Sequence, residues 1–214
     1  RGQTVKKKET ENNEEEKDEK IKKRSQYFHL SFSSPLLVSV QSLVKMHPSF
    51  DRALRTLLVH HLPTAHVVLL AGRGPIWSYQ LKQRLARLAV MHDDVNHDNV
   101  NQTQQLLWTK RIHILQRLPA LDYALLLQQA DVLLDSFPYS GFTTSIEALA
   151  LGVPIVTLDT GTSLRGSQTA SLYRTMNNLE LYTCCLAESI EDWIEKITEL
   201  TINGGYRQKM RIEV

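Results

Sequence analysis

The sequence predicts an α/β fold, a doubly wound parallel sheet with helices on both faces. Three observations lead there. Short apolar runs alternate with longer segments of helical period over residues 36–200. Those runs are continuously apolar, as in 66–71 (HVVLLA), which marks strands covered on both sides. At 214 residues and 42% hydrophobic, the chain can bury one good-sized core and still carry a tail.

The tail comes first. Residues 1–24 (RGQTVKKKETENNEEEKDEKIKKR) hold nine Lys or Arg and seven Asp or Glu. Little there repays the entropy of ordering, so 1–30 reads as a disordered charged linker and 31–214 as the folded lobe. Lys6-Lys7-Lys8 and Lys22-Lys23-Arg24 are short basic runs, compatible with an import signal or with simple solvation. The rest of the chain carries sixteen charges of each sign, so the excess positive charge sits in the tail and no nucleic-acid partner is expected.

From Pro35 the elements follow in order. Residues 36–40 form a strand. Residues 48–61 form a helix with Pro48 in its first turn and Phe50, Leu54, Leu57 and Leu58 on one face. Residues 66–71 form the second strand, and 78–90 an amphipathic helix with Leu81, Leu85, Leu88 and Ala89 inward. The stretch 92–105 is rich in Asn and Asp and reads as a loop. Its His92, Asp93, Asp94, His97 and Asp98 lack the fixed spacing of a metal site, so no metal is expected. Strands at 111–115, 131–135 and 153–158 alternate with helices at 120–129 and 143–150. Helices near 167–176 and 189–200 close the pattern.

Cys184 and Cys185 are adjacent, which leaves no disulfide framework and favours a reducing compartment, cytoplasmic or nuclear. No run approaches the roughly 20 apolar residues of a membrane span. The chain begins at Arg1 and is expected to be a fragment of a longer protein.

Doubly wound sheets bind ligands just beyond the carboxyl ends of their strands. There the segment 130–158 (ADVLLDSFPYSGFTTSIEALALGVPIVTL) stands out. A strand ends at Asp135, a turn follows through Ser140 and Gly141, and a helix starts at Thr143. Gly141 allows close backbone approach. Thr143 and Thr144 put hydroxyls and free N–H groups at a helix N-terminus, which suits a diphosphate. Glu147, one turn on, suits a ribose diol. Spacing alone leaves a second possibility, since Thr-x-x-Glu also describes a capped helix. Gly72-Arg73-Gly74-Pro75 lacks the Gly-Lys-Ser/Thr of a P-loop, which excludes that class of NTPase.

This segment resembles the C-terminal catalytic lobe of the O-linked N-acetylglucosamine transferase family, which includes the SPINDLY-type O-fucosyltransferases. That family has a strand ADV-x-LD, a Gly-His-Thr-Thr turn, an acidic residue three positions on, and a Gly-x-Pro-x-Val-Thr strand. Gly141, Thr143, Thr144, Glu147, Gly152, Pro154, Val156 and Thr157 stand at matching places, while Phe142 replaces the histidine and Glu147 an aspartate. The segment 42–48 (SLVKMHP) resembles the family's Gln-Leu-x-Lys-x-x-Pro, with Ser42 for the glutamine and Lys45 as the lysine that meets the diphosphate. Residues 111–131 resemble the part that holds uracil: backbone around Leu118 would read the base and Tyr123 would stack on it. Ala120 and Leu126 replace a lysine and an arginine there, and Tyr123 also fits the edge of an amphipathic helix. Arg165, in a segment resembling Gly-x-Thr-x-x-Ser-Arg, would lie near the phosphates, or pair with a helix end.

The resemblance implies a Rossmann-like C-terminal lobe of a GT-B glycosyltransferase. It implies inverting, metal-independent transfer of N-acetylglucosamine from UDP to Ser or Thr hydroxyls of proteins, with no cofactor. The general base, the second lobe and the helical repeats that usually precede it would lie outside this chain, leaving the fragment inactive alone. The altered residues keep three alternatives open: a GDP-fucose donor, a GT-B enzyme acting on lipids or glycans, and a non-catalytic nucleotide-sugar module.

Overall fold

The computed structural model describes residues 18, 21–26, 28, 33–72, 74–90, 107–159, 161 and 163–213. Most of the charged segment 1–30, the histidine- and aspartate-rich loop 92–105, Arg73 and Thr162 lie outside them.

Six strands form one all-parallel sheet in the order β3-β2-β1-β4-β5-β6. They are β1 (Leu36–Ser39), β2 (His66–Leu70), β3 (Ile112–Leu115), β4 (Val132–Leu134), β5 (Ile155–Leu158) and β6 (Leu186–Ala187). The order reverses between β1 and β4, which pair through Leu37 with Val132 and Val38 with Leu133. That is a doubly wound sheet with its switch point at the centre. Leu36, Leu37 and Val38 of β1 and Val67, Val68 and Leu69 of β2 are fully buried, as continuous apolar strands in a sheet covered on both faces must be.

The helices are α1 (Pro48–Thr56), α2 (Pro75–Val90), α3 (Ala120–Gln129), α4 (Thr143–Ala150), α5 (Gln168–Met176), α6 (Leu179–Cys185), α7 (Ile190–Ile202) and α8 (Gly204–Glu213). Phe50, Leu54, Leu57 and Leu58 are all fully buried, as their helical spacing predicts. The expected helix 48–61 is continuous, but its last turn, Leu57–His61, widens to π geometry. Arg111 accounts for that end: its guanidinium donates to the carbonyls of Leu58, Leu62 and Ala65 at 2.7, 3.0 and 3.0 Å. Helix α2 starts at Pro75, three residues before the expected Ser78, with proline where its missing N–H costs nothing.

Three elements carry no clear sequence pattern: α6, the two-residue β6 and α8. The last begins Gly204-Gly205, a poor helix start, yet Met210 is fully buried. Arg207 pairs with Asp131 at 3.4 Å, and Arg211 donates to the Ala130 carbonyl. The charged segment also contributes packing that its composition hides. Residues 21–26 are helical, Arg24 is 3% exposed, and Phe28 joins the core. Arg24 donates to the carbonyls of Ser34 and Gln129 at 3.0 and 2.9 Å and lies 3.4 Å from Asp131. Cys184 and Cys185 are both buried and free. No helix among the described residues is long and apolar enough to cross a membrane.

Candidate functional site

The β4–α4 turn is held from below by one carboxylate. Asp135 is buried at the end of β4. Its Oδ1 accepts from the backbone N–H of Gly141 and Ser136 at 2.7 and 3.0 Å, and its Oδ2 from Ser140 Oγ and Thr157 Oγ1 at 2.6 and 2.8 Å. Burial pushes its carboxyl above the usual range, and the hydrogen bonds from Ser140, Gly141, Thr157 and Thr169 oppose that shift. Beneath the turn, Phe137 meets Phe50 of α1 and Trp193 of α7 edge-on, at centroid distances of 5.4 and 5.4 Å. The turn therefore rests on packed core rather than on loop.

Above it, α4 presents its N-terminus. Phe142 is the N-cap and offers no side-chain capping bond, so the first N–H groups of α4 are left to a ligand or to water. Gln41, 5% exposed at the carboxyl end of β1, donates to Thr144 Oγ1 at 2.5 Å. Lys45 closes the corner: its Nζ lies 3.2 Å from Gln41 Oε1 and 3.0 Å from the Ser140 carbonyl. An isolated antiparallel bridge between Met46 and Pro138 joins the β1 loop to the turn. One turn into α4, Glu147 Oε2 accepts from the hydroxyl of Tyr123 on α3 at 2.9 Å. Burial, reinforced by that carboxylate, pushes the Tyr123 hydroxyl well above its ordinary value, so it stays protonated.

These groups line one open cleft of about 830 Å³ across the carboxyl ends of the central strands. Of the residues singled out in the sequence, Ser42, Lys45, Leu118, Tyr123, Phe142, Thr143, Thr144 and Glu147 all border it. Gly141 lies just beneath, where an added Cβ would fall 1.9 Å from Gln41 Nε2. Arg165 differs: it is not among the lining residues, and its carbonyl accepts from Ser140 N at 2.9 Å, so it braces the turn through its backbone. Leu126 is fully buried in the core and faces no ligand, whereas Ala120 does line the cleft.

Sequence reasoning missed Gln41, Asp135, Trp77, Arg117 and Gln168. Gln41 carried one signal, a polar residue directly after a buried strand; Asp135 read only as a strand boundary. Among the described residues no group of three or more His, Cys, Asp or Glu is placed to hold a metal.

The fold has clear relatives among solved structures. An O-GlcNAc transferase mutant from Thermobaculum terrenum matches with a TM-score of 0.67 and 27% identity, over 84% of this chain and 31% of that one. WaaG, a glycosyltransferase involved in lipopolysaccharide biosynthesis, matches with a TM-score of 0.58 and 13% identity, over 91% of this chain and 45% of that one. The UDP-GlcNAc 2-epimerase from Neisseria meningitidis bound to UDP-GlcNAc gives 0.51 and 17%, over 89% and 42%. The chain thus spans about a third of the transferase and under half of the other two. At 13% and 17% identity, those two establish fold alone. No family model and no curated protein matches the chain. The lobe is the Rossmann-like half of the GT-B glycosyltransferase fold, a six-stranded parallel sheet flanked by helices.

Proposed function

We propose that this chain is the donor-binding half of a protein O-linked N-acetylglucosaminyltransferase that uses UDP-GlcNAc. One observation carries the reading. Lys45, which donates to the Ser140 carbonyl just ahead of α4, is tied through Gln41 to Thr144 in the first turn of that helix, distant in sequence. A cation beside open N–H groups suits a diphosphate, which supports the reading. Glu147 would take the ribose diol on the oxygen that Tyr123 leaves open, and the base would lie toward Leu118.

In this reading the cleft acts on the leaving group. As the bond from sugar to phosphate breaks, negative charge grows on UDP. Lys45 and the amides of Thr143 and Thr144 would stabilise it in place, without a metal ion. The acceptor Ser or Thr, the general base and the second lobe come from outside this chain, which is therefore inactive by itself. The same reading sets the protein in the cytoplasm or nucleus.

Calorimetry with UDP tests the binding step. Lys45→Met removes one charge-assisted contact and should weaken UDP by about tenfold to a hundredfold. Thr143→Ala with Thr144→Ala should also weaken it without unfolding the lobe. A folded chain that ignores millimolar UDP rejects the reading. A second reading, a non-catalytic nucleotide-sugar module, draws on Phe142, which is 49% exposed beside the phosphate corner and donates no hydrogen bond. Transfer assays on the full-length protein separate the two. A GDP-fucose donor is separated by competition between UDP and GDP.

A further inference from the structure

The end of the cleft away from Lys45 has no role in holding phosphate or ribose. Gly72, Gly74, Trp77, Arg117, Leu118 and Ala120 line it. The chain has three tryptophans, and two of them, Trp108 and Trp193, are fully buried in the core. Trp77 is 42% exposed. Its indole rests on the turn after β2: a Cβ on Gly72 or Gly74 would sit 3.9 or 3.8 Å from its Cδ1. A methyl at either position would meet the ring only in ordinary van der Waals contact, so the indole lies over this turn without requiring the glycines.

Arg117 follows β3 and is exposed on the same cleft. It makes no ion pair or hydrogen bond with any described residue. A guanidinium has five N–H donors and no acceptor. It therefore favours a base edge made of acceptors. Uracil offers carbonyl oxygens, and guanine offers O6 and N7. Cytosine and adenine put an amino donor on the corresponding edge.

We infer that Trp77 and Arg117 form the base-selecting end of the cleft, the indole stacking on the nucleobase and the guanidinium donating to its carbonyl edge. The inference rests on the nucleotide reading of the cleft and assigns its choice of base to two residues. The site takes an oxo base, uracil or guanine, and discriminates against cytosine and adenine. Trp77 supplies affinity common to all bases, because every base has a face to stack. Arg117 supplies the choice.

The experiment titrates the chain with UDP, GDP, CDP and ADP, following heat of binding and tryptophan emission together. UDP or GDP should bind at least about tenfold more tightly than CDP and ADP and should change the emission. Arg117→Ala should bring the four affinities to within about threefold. Trp77→Phe should keep most of the affinity and lose the emission change, because the two buried tryptophans do not face the cleft. Trp77→Ala should weaken all four nucleotides by about tenfold. Heat with all four nucleotides at equal affinity overturns the inference and leaves the nucleotide reading standing. Heat without an emission change removes Trp77 from the site, and an Arg117→Ala protein that keeps its preference removes Arg117. No heat with any of the four overturns both readings.

Discussion

A methyl group at position 141 has nowhere to go. Gly141 sits where a Cβ would lie 1.9 Å from Gln41 Nε2 and 2.8 Å from both Ser145 Oγ and Thr144 Oγ1. Its value is close approach, since its φ is not among the positive ones, which among glycines belong to Gly152 and Gly161. Gly141→Ala would push Gln41 off Thr144 and release the partner that holds Lys45. We expect UDP affinity to fall at least about tenfold, the scale of one charge-assisted contact, with the fold intact. Calorimetry beside a thermal melt checks this, and a mutant with unchanged affinity refutes it. At this scale the sequence displayed the residue types but not their links. Gly141, Thr143, Thr144 and Glu147 were legible because they lie within one turn and one helix. Gln41 was not, because its partner Thr144 is 103 positions away. Asp135 was hidden for another reason: its partners Ser140 and Gly141 are close in sequence, but its role comes from burial beneath the turn, which the sequence does not display.

Elements were legible where apolar runs were long enough to carry a period. Strands β1 and β2 and helices α3 and α4 lie within a residue or so of expectation. Strand β6 has two residues and α8 opens on two glycines, so tertiary contacts rather than local pattern define them. The helical stretch 21–26 is the sharper case. Its charge pattern reads as solvated, but Arg24 donates to the Gln129 carbonyl at the end of α3 and faces Asp131. Arg24→Ala would strand Asp131 with Arg207 as its remaining cation and leave the Gln129 carbonyl without this donor. We expect a loss of about 3 kcal/mol in urea unfolding; a change below about 0.5 kcal/mol would show the segment to be dispensable. The β2–β3 pair makes a second prediction. His66 Nδ1 and His113 Nε2 are 2.9 Å apart, with their rings stacked. Burial first, then the neighbouring His113, Arg111 and Arg24, lower the His66 pKa to about 4, and burial lowers that of His113. The unfolded chain then binds more protons than the native one between about pH 6.5 and 4. The pair's contribution is complete above pH 6.5 and is lost as pH falls through that window. Comparing wild type with His66→Gln at pH 7 and pH 4.5 tests the sign: the wild type should lose more stability on acidification than the variant. Equal losses would refute it.

At the scale of the molecule, the cleft is a property of the assembled sheet. Its walls come from the loops after β1, β2 and β3 and from α3 and α4, so the unfolded chain has no such site. A nucleotide that binds there binds the native state alone and must stabilise it by mass action. UDP at a hundred times its dissociation constant adds about 2.7 kcal/mol. For a lobe of this size each kcal/mol raises the melting temperature by about 2–4 °C, so a shift of about 5–10 °C is expected. Lys45→Met at the same UDP concentration should show a smaller shift, about 1–6 °C, because binding weakened about tenfold to a hundredfold lowers the gain to about 1.4 to 0.4 kcal/mol. Uridine tests the division of labour within the cleft: it keeps base and ribose but offers no charge to Lys45 or the α4 N-terminus. If the diphosphate carries the affinity, uridine at that concentration moves the melt by less than about 1 °C and UDP by several. If uridine and UDP shift it equally, the Lys45 corner is not the phosphate site. If neither shifts it, the cleft does not bind the nucleotide.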